Sequence, residues 1–273
     1  SATRAETPAP QSANAKSSIA TTVRKPGGPF KFSGSLLVST SKGATDSDND
    51  SYSGLYRASI AATHDASKIR TGFRMGYARA YTYQNDDGTD GMMENPLFTV
   101  SRAYKSGTDF LSPVFDSIVI GMRGTLPANR DAQKATFQGA VGPSLSVSKS
   151  LSILDIGQTL YYNRQFFEYE MKDDGTQNSP DRLVSVTELG LNVTKHIALT
   201  AAMTLDFTRN YLGNVKSREL SSIGIDLKPI EKLTISLGYG IDRAALSADG
   251  QADAIKIYDD RIAETSLDLF LEI

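Results

Sequence analysis

The sequence is dominated by an alternation of apolar and polar residues that repeats at every second position from about residue 30 to residue 273. Near the C-terminus, for example, Leu267, Leu269 and Leu271 alternate with Ser266 and Asp268. Side chains of a β-strand point alternately to the two faces of a sheet, so each such segment has one apolar face and one polar face. The pattern therefore predicts long β-strands, and leaves open whether their apolar faces meet each other or lipid.

The alternation divides into twelve predicted strands separated by turn-forming residues. Most of them reach the roughly 9–11 residues that a tilted strand needs to cross the hydrocarbon layer of a bilayer. The predicted strands cover residues 30–40, 52–63, 69–83, 96–104, 115–126, 135–147, 152–166, 182–194, 197–209, 218–227, 232–244 and 261–273.

The connections between these strands alternate in length. The long, polar connections, rich in Gly and Asp, are Ser41–Ser51, Gln84–Asn95, Pro127–Lys134, Tyr169–Asp181, Asn210–Ser217 and Ser247–Asp260. The short ones are His64–Lys68, Ser148–Leu151, Lys195–His196 and Lys228–Glu231, with Lys105–Val114 as a longer exception. Long loops at one end and tight turns at the other are typical of barrels that cross a bacterial outer membrane.

The predicted fold is all-β: a transmembrane antiparallel up-and-down β-barrel of about twelve strands over residues 30–273. A soluble β-sandwich would show the same alternation and is the main alternative. The polar rows consist mainly of Gly, Ser, Thr and Ala with few Lys, whereas a sheet that faces water usually carries more charge. No run of about 18 apolar residues occurs, so no transmembrane helix is expected.

The N-terminal segment, residues 1–29, differs from the rest of the chain. It is rich in Ala, Ser, Thr and Pro and shows no periodicity. We expect either a disordered periplasmic tail or a segment that enters the barrel and plugs it.

Over residues 30–273 the pattern resembles the outer-membrane β-barrel superfamily of Gram-negative bacteria and is porin-like in character. The last strand, Ser266–Ile273, is similar to the C-terminal signal that the barrel-assembly machinery reads, although that signal normally ends in Phe or Trp. The resemblance implies a location in the bacterial outer membrane. It also implies contacts with membrane lipid, lipopolysaccharide and the assembly machinery, and leaves a homo-oligomer open.

With the apolar rows outside, the charged residues of the strands fall inside the barrel. The second, third and fifth predicted strands contribute basic side chains, and the seventh to twelfth contribute acidic ones. The predicted lumen-lining residues are Arg57, Arg70, Arg74, Arg123, Asp155, Glu188, Asp206, Asp226, Asp242, Glu264 and Asp268. A basic wall opposite an acidic wall would create a transverse field that orients dipolar solutes.

The sequence therefore favours an outer-membrane channel for passive diffusion of small hydrophilic solutes. Two other functions stay open. The charges could pair across a narrow lumen and close it, which would leave a structural, surface-interaction or adhesion barrel, since barrels of about eight strands are filled by their own side chains. Alternatively, the barrel could be a translocator like those of autotransporters, with residues 1–29 threaded through it.

Catalysis and metal binding find little support in the sequence. The only histidines, His64 and His196, fall in predicted short turns, and nothing in the sequence forces either of them near a serine. The acidic run of Asp46, Asp48 and Asp50 lacks the Gly and distal Glu of a calcium-binding loop. We expect no enzyme, no catalytic residue, no metal and no cofactor. A net charge of −2 also argues against nucleic-acid binding.

Overall fold

The computed structural model describes residues 29–42, 51–82, 91–105, 114–129, 132, 136–171, 175–243 and 263–273. The strands are β1 (Phe30–Lys42), β2 (Ser51–His64), β3 (Ile69–Thr82), β4 (Gly91–Met93), β5 (Leu97–Lys105), β6 (Ser117–Thr125), β7 (Phe137–Leu151), β8 (Leu154–Phe167), β9 (Asp181–Asn192), β10 (Ile197–Arg209), β11 (Val215–Ile230), β12 (Leu233–Arg243) and β13 (Ala263–Glu272). Among these residues, no helix is long and apolar enough to cross a membrane.

All twelve long strands belong to one closed antiparallel barrel. Each pairs with its neighbours in the chain, and β1 also pairs with β13, where Ser39 lies opposite Asp268. The last residue takes part in this closure, since the amide of Ile273 donates to the carbonyl of Gly34 at 2.9 Å. The predicted twelve-stranded barrel is confirmed, and the alternative of a β-sandwich is wrong.

The short strand β4 is the main departure from the predicted strands. It pairs with β3 on the long-loop side of β5, where Met93 lies opposite Tyr77. The prediction that residues 91–93 lie in a loop was therefore wrong. β4 and β5 are two parts of one barrel strand, interrupted before Leu97 by a segment containing Pro96, which has no N–H to donate to a ladder.

The turns at one end of the barrel are tight. The predicted turn at Ser148–Leu151 lies inside β7, and the chain instead reverses at Ser152 and Ile153 between the paired residues Leu151 and Leu154. Ser152 has a φ of 55°, in the left-handed region that such two-residue turns require.

Several predicted segments lie outside the described residues. They include residues 1–28 of the N-terminal segment and the acidic run that contains Asp46, Asp48 and Asp50. Their assignments stay predictions.

The two faces of the barrel wall differ in composition and in exposure. Large apolar side chains are exposed on the outer face: Ile60 is 65% exposed, and Ile120 is 50% exposed. Buried polar side chains, such as those of Ser39, Ser236 and Asp268, lie on the inner face. A water-soluble protein has the reverse arrangement, so the outer face is built for contact with lipid.

Candidate lumen site

Three arginines in the N-terminal half of the barrel, which consists of β1 to β6, point inward. Arg57, Arg74 and Arg123 lie on β2, β3 and β6, and each is half-buried. Each stands beside an exposed outer residue: Tyr56, Met75 and Met122, respectively. Because neighbouring residues of a strand point to opposite faces, the three arginines lie on the inside of the barrel.

Arg57 is neutralised by Glu94, which comes from the interruption between β4 and β5. The Nε of Arg57 donates to Oε2 of Glu94 at 2.8 Å, and its Nη2 donates to Oε1 at 2.5 Å. The backbone amide of Glu94 is held by the carbonyl of Gly76 at 2.8 Å. A Cβ atom at Gly76 would overlap the Glu94 carboxylate. The space that this inward glycine leaves is therefore filled by an acidic side chain.

Arg123 and Arg74 have different surroundings. The guanidinium carbon of Arg123 lies 3.7 Å from the ring centroid of Tyr161, an inward residue of β8. Arg74 interacts electrostatically with Arg57, Arg123 and Glu94. Among the described residues, neither Arg74 nor Arg123 forms an ion pair with a carboxylate.

The other half of the barrel carries two inward arginines that the sequence analysis left out. Arg182 on β9 donates from Nε to both carboxylate oxygens of Asp206 on β10, at 3.0 and 3.1 Å, and from Nη2 at 2.5 Å. Arg218 on β11 donates from Nε to Asp242 on β12 at 2.6 Å, with a second bond from Nη2. The alternation already contained this signal, because Arg182 and Arg218 have the same parity as Glu188 on β9 and Asp226 on β11, respectively.

Three further predicted carboxylates lie near the ends of their strands. Asp155 is exposed beside the short turn of β8 and accepts a hydrogen bond from Nδ2 of Asn192 at 2.7 Å. Glu188 approaches Gly157 on the inner face of β9. Glu264, near the start of β13, accepts a hydrogen bond from the hydroxyl of Ser41.

The remaining predicted lumen residues lie away from the inward arginines described above. Asp226 and Asp268 are buried on either side of Ser236, to which both are directly opposite in register. Arg70 lies at the start of β3, four residues from Arg74 and beside the short turn.

The charges are therefore arranged differently from the predicted pair of walls. Arg182 and Arg218 place positive charge on the half that was expected to be purely acidic. Asp155, Glu188, Asp226 and Asp268 lie toward the short-turn ends of their strands, whereas Arg123, Arg182, Asp206, Arg218 and Asp242 lie toward the long-loop ends. Charge thus varies along the barrel as well as around it.

The two histidines lie in the turns. Nδ1 of His64 is 2.9 Å from the Ser67 hydroxyl, and Nδ1 of His196 donates to the carbonyl of Lys228 at 2.8 Å. Within the described ranges, no three His, Asp or Glu side chains are grouped so as to hold a metal ion.

No protein-family model matches this sequence, and no curated protein matches it. Among solved structures, the chain is similar to the COG4313 outer membrane channel from Pseudomonas putida F1, with a TM-score of 0.62 and 10% identity over 92% of this chain and 97% of that one. It is also similar to the NanC porin, with a TM-score of 0.50 and 12% identity over 86% of this chain and 97% of that one. At these identities the likeness concerns the fold.

The closed barrel and its apolar outer face define a membrane-spanning β-barrel, and its fold is similar to that of these channel and porin structures. The predicted localisation in the outer membrane of a Gram-negative bacterium agrees with this fold.

Proposed function

We propose that this barrel is a passive channel that lets small hydrophilic solutes diffuse across the outer membrane. The apolar outer face would contact membrane lipid, and lipopolysaccharide in the outer leaflet. The polar inner face would contact water and solute. In this proposal no step of covalent chemistry takes place in the barrel.

One observation carries the proposal. Among the described residues, the inward arginine–carboxylate pairs join neighbouring strands along the wall and none joins opposite walls. Arg182 and Asp206 belong to the neighbouring strands β9 and β10. In the same way, Arg218–Asp242 joins β11 to β12.

The third pair follows the same rule. Glu94, which pairs with Arg57, is hydrogen-bonded through its amide to β3, the neighbour of β2. Pairs along a wall fix the side chains against that wall and leave the middle of the barrel to water. A barrel held shut by its charges would need pairs between opposite walls. The described ion pairs therefore favour a channel over a closed structural barrel.

The test is liposome swelling with sugars of increasing size. Liposomes that contain the folded protein should swell quickly in a pentose and more slowly in a disaccharide, because a narrow polar pore sieves solutes by size. Liposomes with heat-denatured protein are the control. Correctly inserted protein that admits no sugar would contradict the proposal and favour the closed barrel.

A further inference from the structure

The inward arginines form a continuous series around part of the barrel. Five of them, Arg57, Arg74, Arg123, Arg182 and Arg218, make up this series, which we call the arginine arc; Arg70, beside the short turn, is not part of it. Electrostatic interactions link Arg74 to Arg57 and Arg123, Arg123 to Arg182, and Arg182 to Arg218. Neighbouring members of the arc thus repel one another unless counter-charges separate them.

Among the described residues, carboxylates hydrogen-bonded to the arc occur at its two ends only. Glu94 neutralises Arg57 at one end, and Asp206 and Asp242 neutralise Arg182 and Arg218 at the other. Neither of the two middle members, Arg74 and Arg123, forms an ion pair with a carboxylate of the described residues. Arg74 shares the charge of Glu94, which is bound to Arg57. The uncompensated positive charge is therefore concentrated at one place in the arc.

Arg123 is held in place without being neutralised. The ring of Tyr161 covers one face of its guanidinium group at 3.7 Å, a cation–π contact that leaves the charge intact. The Nε of Arg123 is buried and has no hydrogen-bond partner among the described residues. An N–H donor that is buried without a partner is costly, and an anion that accepts from it would remove that cost.

We propose that Arg74 and Arg123 form a binding site for small carboxylates in the lumen, and that the site makes the channel prefer anions to cations. Arg57 shows within the same cluster how a carboxylate is held, because Glu94 accepts two donors from its guanidinium fork. A solute carboxylate would use the forks of Arg74 and Arg123 in the same way. This inference rests on the proposed channel function.

The first experiment measures ion selectivity in planar bilayers. In a potassium chloride gradient, the reversal potential of the wild-type protein should indicate a chloride permeability above that of potassium. The variant R74Q/R123Q should lower this permeability ratio by roughly fivefold, since two unit charges leave the pore. Arg102 on β5 is exposed and has the parity of the outward Val100. R102Q therefore removes the same charge from the outer face and should leave the ratio nearly unchanged.

The second experiment measures binding without transport. Citrate, a small tricarboxylate, is titrated calorimetrically into the detergent-solubilised barrel. Wild-type protein and R102Q should bind it, and R74Q/R123Q should bind it at least about tenfold more weakly, because two guanidinium forks are lost. R74K/R123K keeps the charges and loses the forks, so it should retain chloride preference and bind citrate weakly. If R74Q/R123Q does not fold, R74K/R123K still tests whether citrate binding requires the guanidinium groups.

The outcomes separate this site from the channel itself. A wild-type channel that conducts without preferring chloride, or equal citrate binding by wild type and R74Q/R123Q, would overturn the site. Citrate binding that depends on these arginines in a barrel without conductance would support the site and contradict the channel.

Discussion

The outer and inner faces of β6 show how differently the two sides of this barrel wall are constrained. Ile120 and Met122 point outward and are about half exposed, as are the apolar side chains of neighbouring strands. Val119, Gly121 and Arg123 alternate with them along the strand and point inward. Each of these three residues contacts different neighbouring atoms. Lipid imposes one rule on every outward position, whereas each inward position depends on the particular atoms of its neighbours.

The largest expected effect comes from moving a charge between the two faces. Ile120→Arg should lower the free energy of unfolding by up to about 2–4 kcal/mol, because an arginine on the lipid face of a membrane-spanning strand is poorly solvated. Val119→Arg introduces the same side chain one residue earlier on the inner face. It should cost at least about 1 kcal/mol less, since lumen substitutions mainly alter selectivity.

Denaturant-induced unfolding from phospholipid vesicles measures both variants. Equal losses at the two positions would mean that the outer face is not the lipid face.

The next effect tests whether the inner face tolerates a larger side chain equally well at every glycine. A Cβ atom at Gly142 would overlap the carbonyl oxygen of Tyr162 on β8, where Pro143 interrupts the pairing of β7 with β8. Gly142→Ala should therefore lower the free energy of unfolding by about 1–3 kcal/mol. At Gly190, also inward, the nearest atom to a Cβ is that of Asp155 at 3.7 Å, an ordinary contact.

Gly190→Ala is consequently the matched control, and its unfolding should stay close to that of the wild type. If the same assay shows both alanine variants to be equally stable, the close approach of β7 to β8 is not a constraint.

A third effect concerns selectivity rather than stability. Glu94→Gln removes the carboxylate that neutralises Arg57, so a third arginine of the arc becomes uncompensated. The preference for chloride over potassium should rise by about twofold. Asp65→Asn breaks the Lys31–Asp65 pair near the short turn, outside the arc, and should leave the ratio unchanged. A fall in chloride preference in the Glu94→Gln channel would rule out control by the arc.

The smallest effect lies at the turn before β6, outside the membrane-spanning strands. The carboxylate of Asp116 accepts from the amide of Ser150 at 2.7 Å and from Nζ of Lys149 at 2.9 Å. These donors, the backbone amide first, hold the pKa of Asp116 below its usual value. A lowered pKa in the folded state stabilises the protein above the usual carboxylate pKa of about 4, and this stabilisation disappears as the pH falls through the lowered value.

Asp116→Asn should therefore be slightly less stable than the wild type at pH 7, and the difference should shrink at about pH 3. Unfolding curves of the two proteins at both pH values provide the measurement. A difference that is independent of pH would assign the effect to packing rather than to charge.

The outer face and the strand count were predictable because both depend on a period of two, which the sequence carries directly. The same period also carried Arg182 and Arg218, whose parity places them inside. β4 was not predictable, since Gly91–Met93 is too short to show a period and follows a segment rich in Gly and Asp.

The arrangement of the lumen site was largely beyond the sequence. Glu94 lies in an interruption where parity has no meaning, and its contact with Arg57 depends on the space beside Gly76. The contact of Arg123 with Tyr161 joins strands that are not sequence neighbours, so it depends on the register of β6, β7 and β8. These side-chain contacts depend on the pairing registers of several strands, and no single segment of the sequence determines them.

The most direct test of the account is the conductance of the purified, folded wild-type barrel in a planar lipid bilayer. The account predicts discrete, stepwise increases in current as single barrels insert. Barrels that insert and remain silent in concentrated salt would contradict it.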